Sequence, residues 1–234
     1  MKKFLSFLLF VPLFFAANAQ IVITSADMPT AGTYITQTRD TTPSAALPVF
    51  DTGANTTWDF SDLNNQAPSS FGFVDPSTTP YISYFPSATH CYMTADSMFG
   101  YIYANASYVV ALGARVMMDT LEIIMQYDPD DTLYVFPYTF GTTFESYPVG
   151  AIKMFYGDSI DLGMGNVYID SIRMKLSYDK STVVDGWGNV TTPLGTYPTL
   201  RSSRIEIEEQ EIAVHYMSMW IPVSTTTDTS LVIE

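Results

Sequence analysis

After residue 19, apolar side chains recur with period two in short runs broken by Gly, Pro, Asp, Asn and Thr. Successive side chains of an extended chain point to opposite faces, so this pattern dictates strands, and no stretch sustains the 3.6-residue period of a helix. The clearest run sets Ile172, Met174, Leu176 and Tyr178 against Ser171, Arg173, Lys175 and Ser177, which reads as a strand with one wet face. Ile205 and Ile207 alternate with Arg204 and Glu206 up to Glu208-Glu209-Gln210-Glu211, and Ile212, Val214 and Tyr216 resume the alternation. That predicts a hairpin with an acidic tip. Further strands are predicted over 21–24, 33–37, 70–74, 81–85, 98–103, 108–112, 121–127, 133–138, 151–156, 197–207 and 217–223, with a short element at 58–60. The fold class is therefore all-β: an antiparallel β-sandwich, preferred, or a partly closed β-barrel of ten or more strands.

Residues 1–19 read as a secretory signal peptide: Lys2 and Lys3, an apolar stretch from Phe4 to Ala16, then Ala17-Asn18-Ala19 as a cleavage site. The stretch contains Pro12 and is too short for a hydrocarbon core of roughly 30 Å, so no stable membrane span is expected. Residues 20–234, about 215 in all, suit a single all-β domain. The formal charge of the whole chain is -14, and loss of Lys2 and Lys3 makes it two units more acidic. Nucleic acid needs clustered Lys and Arg to neutralise phosphate, so it is excluded as a partner. The chain's one cysteine, Cys91, permits no internal disulfide, so stability must come from burial, and Cys91 itself reads as a small buried hydrophobe.

No catalytic constellation emerges. The two histidines are His90 and His215. His90 adjoins Cys91, but neighbours on a strand face opposite ways, which argues against a Cys-His pair. His215 falls opposite Ile212, Val214 and Tyr216 and reads as a solvated or hydrogen-bonded side chain. Asp128, Asp130 and Asp131 are the best calcium candidates, yet the run lacks the spacing of an EF-hand loop and contains Pro129, so it reads as a turn and no metal is expected. Gly186-Trp187-Gly188 with Pro193 and Gly195 predicts a bend, with Trp187 covering one end of the core or, functionally, offering an aromatic platform to a sugar. No cofactor is implied.

The signal peptide, Thr56-Thr57-Trp58-Asp59-Phe60-Ser61, and the segment from Val184 through Gly186-Trp187-Gly188-Asn189-Val190 to Arg201 together resemble exported Bacteroidetes proteins, specifically the N-terminal cargo region of type IX secretion substrates. Such cargo ends in a β-sandwich sorting domain, for which the sequence after Ser230 has no room; the expectation is either a fragment that ends before that domain or a protein that stays in the periplasm or leaves by another route. The resemblance implies a secreted or cell-surface location and makes Asp-Ser/Thr-apolar tripeptides acceptors for O-linked glycan, with Thr41, Thr120, Thr132, Ser159 and Ser171 as candidates where they lie on exposed loops. The expected function is a non-catalytic binding or presentation module for glycan or an envelope protein. The alternatives are a hydrolase with two carboxylates in an aromatic-lined cleft and a lipocalin-like carrier of an apolar ligand.

Overall fold

The computed structural model describes residues 20–42, 51–64, 66–94, 98–118, 121–161, 163 and 165–234. The signal-peptide reading, Thr120, and the acidic member of Asp119-Thr120-Leu121 fall outside them. Among the described residues twelve strands are laid down in chain order: β1 (Tyr34–Arg39), β2 (Gly53–Asp59), β3 (Gln66–Val74), β4 (His90–Thr94), β5 (Phe99–Ala104), β6 (Tyr108–Met118), β7 (Leu121–Val135), β8 (Thr143–Ser146), β9 (Val149–Asp161), β10 (Asn166–Thr192), β11 (Gly195–Tyr216) and β12 (Met219–Ile233). Their hydrogen-bonded order is β1-β3-β4-β5-β6-β7-β9-β10-β11-β12, with β2 and β8 each joined to β10, and the path is not closed into a barrel. All pairings are antiparallel except β2 with β10. The all-β, antiparallel class expected from the alternation is what forms. No helix among the described residues is long and apolar enough to cross a membrane.

The apolar core lies under β3 to β7. Phe85, Cys91, Tyr101, Val110 and Leu112 are buried together, with Val74, Tyr81, Phe99, Tyr103 and Ile124 packed against them. Phe85 stacks on Tyr101 at a centroid distance of 4.3 Å, and the Tyr101 hydroxyl shares a hydrogen bond with Thr79 Oγ1 at 2.7 Å. The ring is thereby buried without orphaning its polar end. Residues 81–85, expected as a strand, instead form a short 3-10 turn, Ile82–Tyr84, that delivers Phe85 into this core.

β10 and β11 correct two expectations. The first is the acidic tip: Glu206 to Glu211 lie in the middle of one continuous strand, and the turn falls at Met217-Ser218, where both residues have positive φ (47° and 65°), as a two-residue hairpin of the tight primed type requires. The strand continues through the charges because the neighbouring strand answers them. Glu206 faces Lys180 in register, Glu208 faces Tyr178, and Glu211 faces Lys175 while bonding Arg173 at 2.8 Å. The second is the bend at Gly186-Trp187-Gly188, which is extended strand. These glycines serve close approach rather than a turn: a Cβ on Gly188 would lie 1.8 Å from the Thr56 carbonyl oxygen of β2, and one on Gly186 would lie 3.1 Å from the Trp58 ring. The turn expected from Pro193 and Gly195 does form, between β10 and β11.

Candidate functional site

The site begins at a tight connection. Between β5 and β6, Asn105 Oδ1 accepts from the backbone N–H groups of Ser107 (2.8 Å) and Tyr108 (3.0 Å), an Asx turn that sets Tyr108 beside Tyr103. Their rings lie 6.1 Å apart, tilted by 48°, and Tyr108 is 40% exposed. Opposite them β7 breaks register. Gly113 pairs with Gln126 and Ala111 with Asp131, so Tyr127, Asp128, Pro129 and Asp130 all bulge against Leu112. Pro129 has no N–H to give the ladder, which favours the bulge over regular pairing. The result is an open groove of about 530 Å³ lined by Ser87, Tyr103, Tyr108, Val110, Leu112, Pro129, Asp130 and Thr132. Partial burial pushes the Asp130 carboxyl up, and the neighbouring Asp128 charge adds to it.

The bulge also divides the three aspartates that the sequence offered to calcium. Asp130 lines the groove, whereas Asp131 turns inward, accepts from Ser146 Oγ at 2.9 Å and meets Lys180 Nζ at 2.8 Å. They form a bulged strand rather than a turn. Among the described residues no group of three or more His, Cys, Asp or Glu is placed to hold a metal ion.

A second cavity, of about 260 Å³, is mostly apolar and lies between Trp58, Phe60, Val190, Thr199, Leu200, Arg201, Ile233 and Glu234. It forms where the two segments that carried the family resemblance meet, because β2 runs parallel to β10 with Trp58 opposite Val190. Its charged residues are already engaged: Arg201 pairs with Asp185, which also accepts from Ser203 Oγ at 2.8 Å, and Glu234 lies 3.3 Å from Arg204. Trp187 is half-buried on the strand face opposite Gly186 and Gly188 and does not line this cavity; Trp58 does.

The remaining sequence candidates scatter. Thr41 is exposed at a bend, Ser159 is exposed within β9, Thr132 is half-buried in the groove, and Ser171 is 7% exposed between β9 and β11. The exposed-loop condition for glycan attachment thus fits Thr41 and fails at Ser171, where the sheet covers the hydroxyl. Cys91 is fully buried, which pushes its thiol up to about 11, and His90 is bonded through Nδ1 to Thr89 Oγ1. His215 bonds Asp170 at 2.8 Å and lies 5.0 Å from the Trp220 ring, against which the Arg173 guanidinium also packs at 4.9 Å. That explains why the face of Arg173, expected to be wet, is half-covered.

Sequence reading overlooked Tyr103 and Tyr108 as a pair. The available signal was Asn105 and Ser107 between two tyrosine-bearing strands, an Asx-turn pattern that brings flanking side chains together. Comparison of the chain with protein-family models, with curated proteins and with solved structures found no match.

Proposed function

We propose that this chain is a non-catalytic, exported β-domain that binds glycan in the groove of Tyr103 and Tyr108, at the cell surface or as secreted type IX cargo. The pair of tyrosines with Ser87, Thr132 and Asp130 around them is the observation that carries the reading. Aromatic faces suit the apolar face of a pyranose, and two hydroxyls and a carboxyl suit its equatorial hydroxyls. Titration with a panel of neutral oligosaccharides tests it: binding is expected, and Tyr108→Ala is expected to weaken it about tenfold, or about 1.4 kcal/mol. Absence of binding across the panel refutes the reading, and release of shortened sugars would replace it with the hydrolase.

One observation favours a second reading. The 260 Å³ cavity beside Trp58 has apolar walls and charges that are already paired, which suits a small neutral apolar ligand. Binding of such a compound that is lost on Val190→Trp, with no sugar binding, would favour a carrier.

A further inference from the structure

β12 ends the hydrogen-bonded path, so among the described residues no strand lies beside the outer N–H and C=O groups along Met219–Ile233. An open edge is a template for another strand, and proteins blunt such edges with shortness, charge, proline or bulges. Two other open edges here carry those devices. β1 is six residues long with a register shift beside Arg39. Beyond Gly150, β9 carries Lys153, Asp158 and Asp161 and is interrupted by Gly157 at φ 67°. β12 differs. Pro222 and a register shift protect only its start, and the ten residues from Ser224 to Ile233 contain one charge, Asp228, in a chain of net charge -14.

Side-chain exposure points the same way. Residues 222–231 are all exposed, so both faces of the strand are in solvent. Leu231 of β12 is 57% exposed, and on β11 beside it Ile205 (54%) and Ile207 (39%) are exposed too, with Ile205 and Leu231 directly paired. We infer that two copies of this chain pair antiparallel through β12, making one sheet continuous across a two-fold axis. A second copy is favoured because an antiparallel strand edge is complementary to itself, which the isologous contact of a two-fold dimer requires. Charge agrees. An axis within Thr225-Thr226-Thr227 sets threonines opposite threonines and Asp228 opposite an uncharged residue, whereas the acidic run of β11 would repel its own copy. The thread of Val, Ile, Leu and Thr also has the β-propensity that added strands need.

The lone, fully buried Cys91 makes a direct test practicable. Variants that each add one exposed cysteine to the buried Cys91, Ser224→Cys, Thr225→Cys, Thr226→Cys, Thr227→Cys and Thr229→Cys, with Thr36→Cys on β1 as control, are oxidised in the full chain and resolved by mass. A disulfide needs Cα atoms within roughly 7 Å, so dimers are expected to peak at one or two adjacent positions, the axis, and to fall away on both sides. Light scattering of the unmodified chain is expected to give twice the monomer mass at about 100 µM, and Thr225→Lys with Thr227→Lys, both exposed sites, is expected to weaken the dimer at least about tenfold without altering the far-UV spectrum. A monomer at every concentration, or cross-linking no greater than that of the β1 control, overturns the inference and leaves the edge to a different chain.

Discussion

The two halves of the sheet differ in how much charge they cover. Under β3 to β7 the close-packed cluster is apolar, with Phe85, Cys91 and Tyr101 exposing 2% or less of their surface, and the buried Arg115 is paired with Glu122 at 2.8 Å. Across β7, β10 and β11 a row of charges is covered as well, beside the buried apolar residues Ile169, Val184 and Val214. Lys180 reaches Asp131 at 2.8 Å and Glu206 at 3.9 Å; Arg204 touches Glu206 at 3.3 Å from Nε, without hydrogen-bond alignment, and Glu234 at 3.3 Å. Tyr178 lies under the Lys180 ammonium, and burial together with Glu208 pushes its hydroxyl well up. Aliphatic side chains, Ile205 and Ile207, face outward on the same strand. Apolar burial tolerates approximate complementarity, whereas buried charges are favourable only as complete sets, because each must replace the water it has lost.

That contrast can be broken at either end. The largest effect is expected from Phe85→Ala, which removes a stacked ring from the close-packed half and should lower unfolding free energy by about 3–5 kcal/mol in urea titration. A loss under about 1 kcal/mol would mean that the cluster is not close-packed. Next is Lys180→Met. It strands the carboxylate of Asp131, 8% exposed, and should remove about 3 kcal/mol, most of which returns in the double variant with Asp131→Asn. An additive double variant would show that the two charges are not coupled.

The third expectation concerns pH. Cys91 ionises at about 11 in the folded chain against an ordinary 9.0, so the folded state holds its proton where the unfolded state loses it. Stability from this group is full below pH 9 and is lost as pH rises from 9 to 11, by about 2–3 kcal/mol at 1.4 kcal/mol per unit. The alkaline slope should shrink in Cys91→Ala, which removes both the thiol and the upward push that its charge gives the buried hydroxyls of Tyr92 and Tyr101. The smallest effect belongs to the outer face of the charged half: Ile207→Thr should change stability by no more than about 0.5 kcal/mol. A loss of 2 kcal/mol or more would place Ile207 in a core and reverse the faces assigned to β11.

Much of the fold was legible because period two is a local property. The strands at 108–112, 121–127 and 151–156, and the turn of Pro193 and Gly195, followed from residues within a few positions of each other. The faces of β11 did not. Ile205 and Ile207 look like core until Lys180 is known to stand opposite Glu206, and that pairing spans 26 positions of sequence. Gly186 and Gly188 were legible as special but not in purpose, because the Thr56 backbone that needs the space comes from a parallel strand about 130 residues earlier. In the groove, Asp130 attracted notice as one of a charged run, while Tyr103 and Tyr108 became a pair only through the Asn105 turn and the bulge at Pro129.

Side-by-side calorimetric titration of one oligosaccharide into the unaltered chain, Tyr108→Ala and Val190→Trp tests the assignment of the groove most directly. The account predicts binding that falls about tenfold in Tyr108→Ala and is unchanged in Val190→Trp; binding that survives Tyr108→Ala but disappears in Val190→Trp would contradict it and move the site to the cavity beside Trp58.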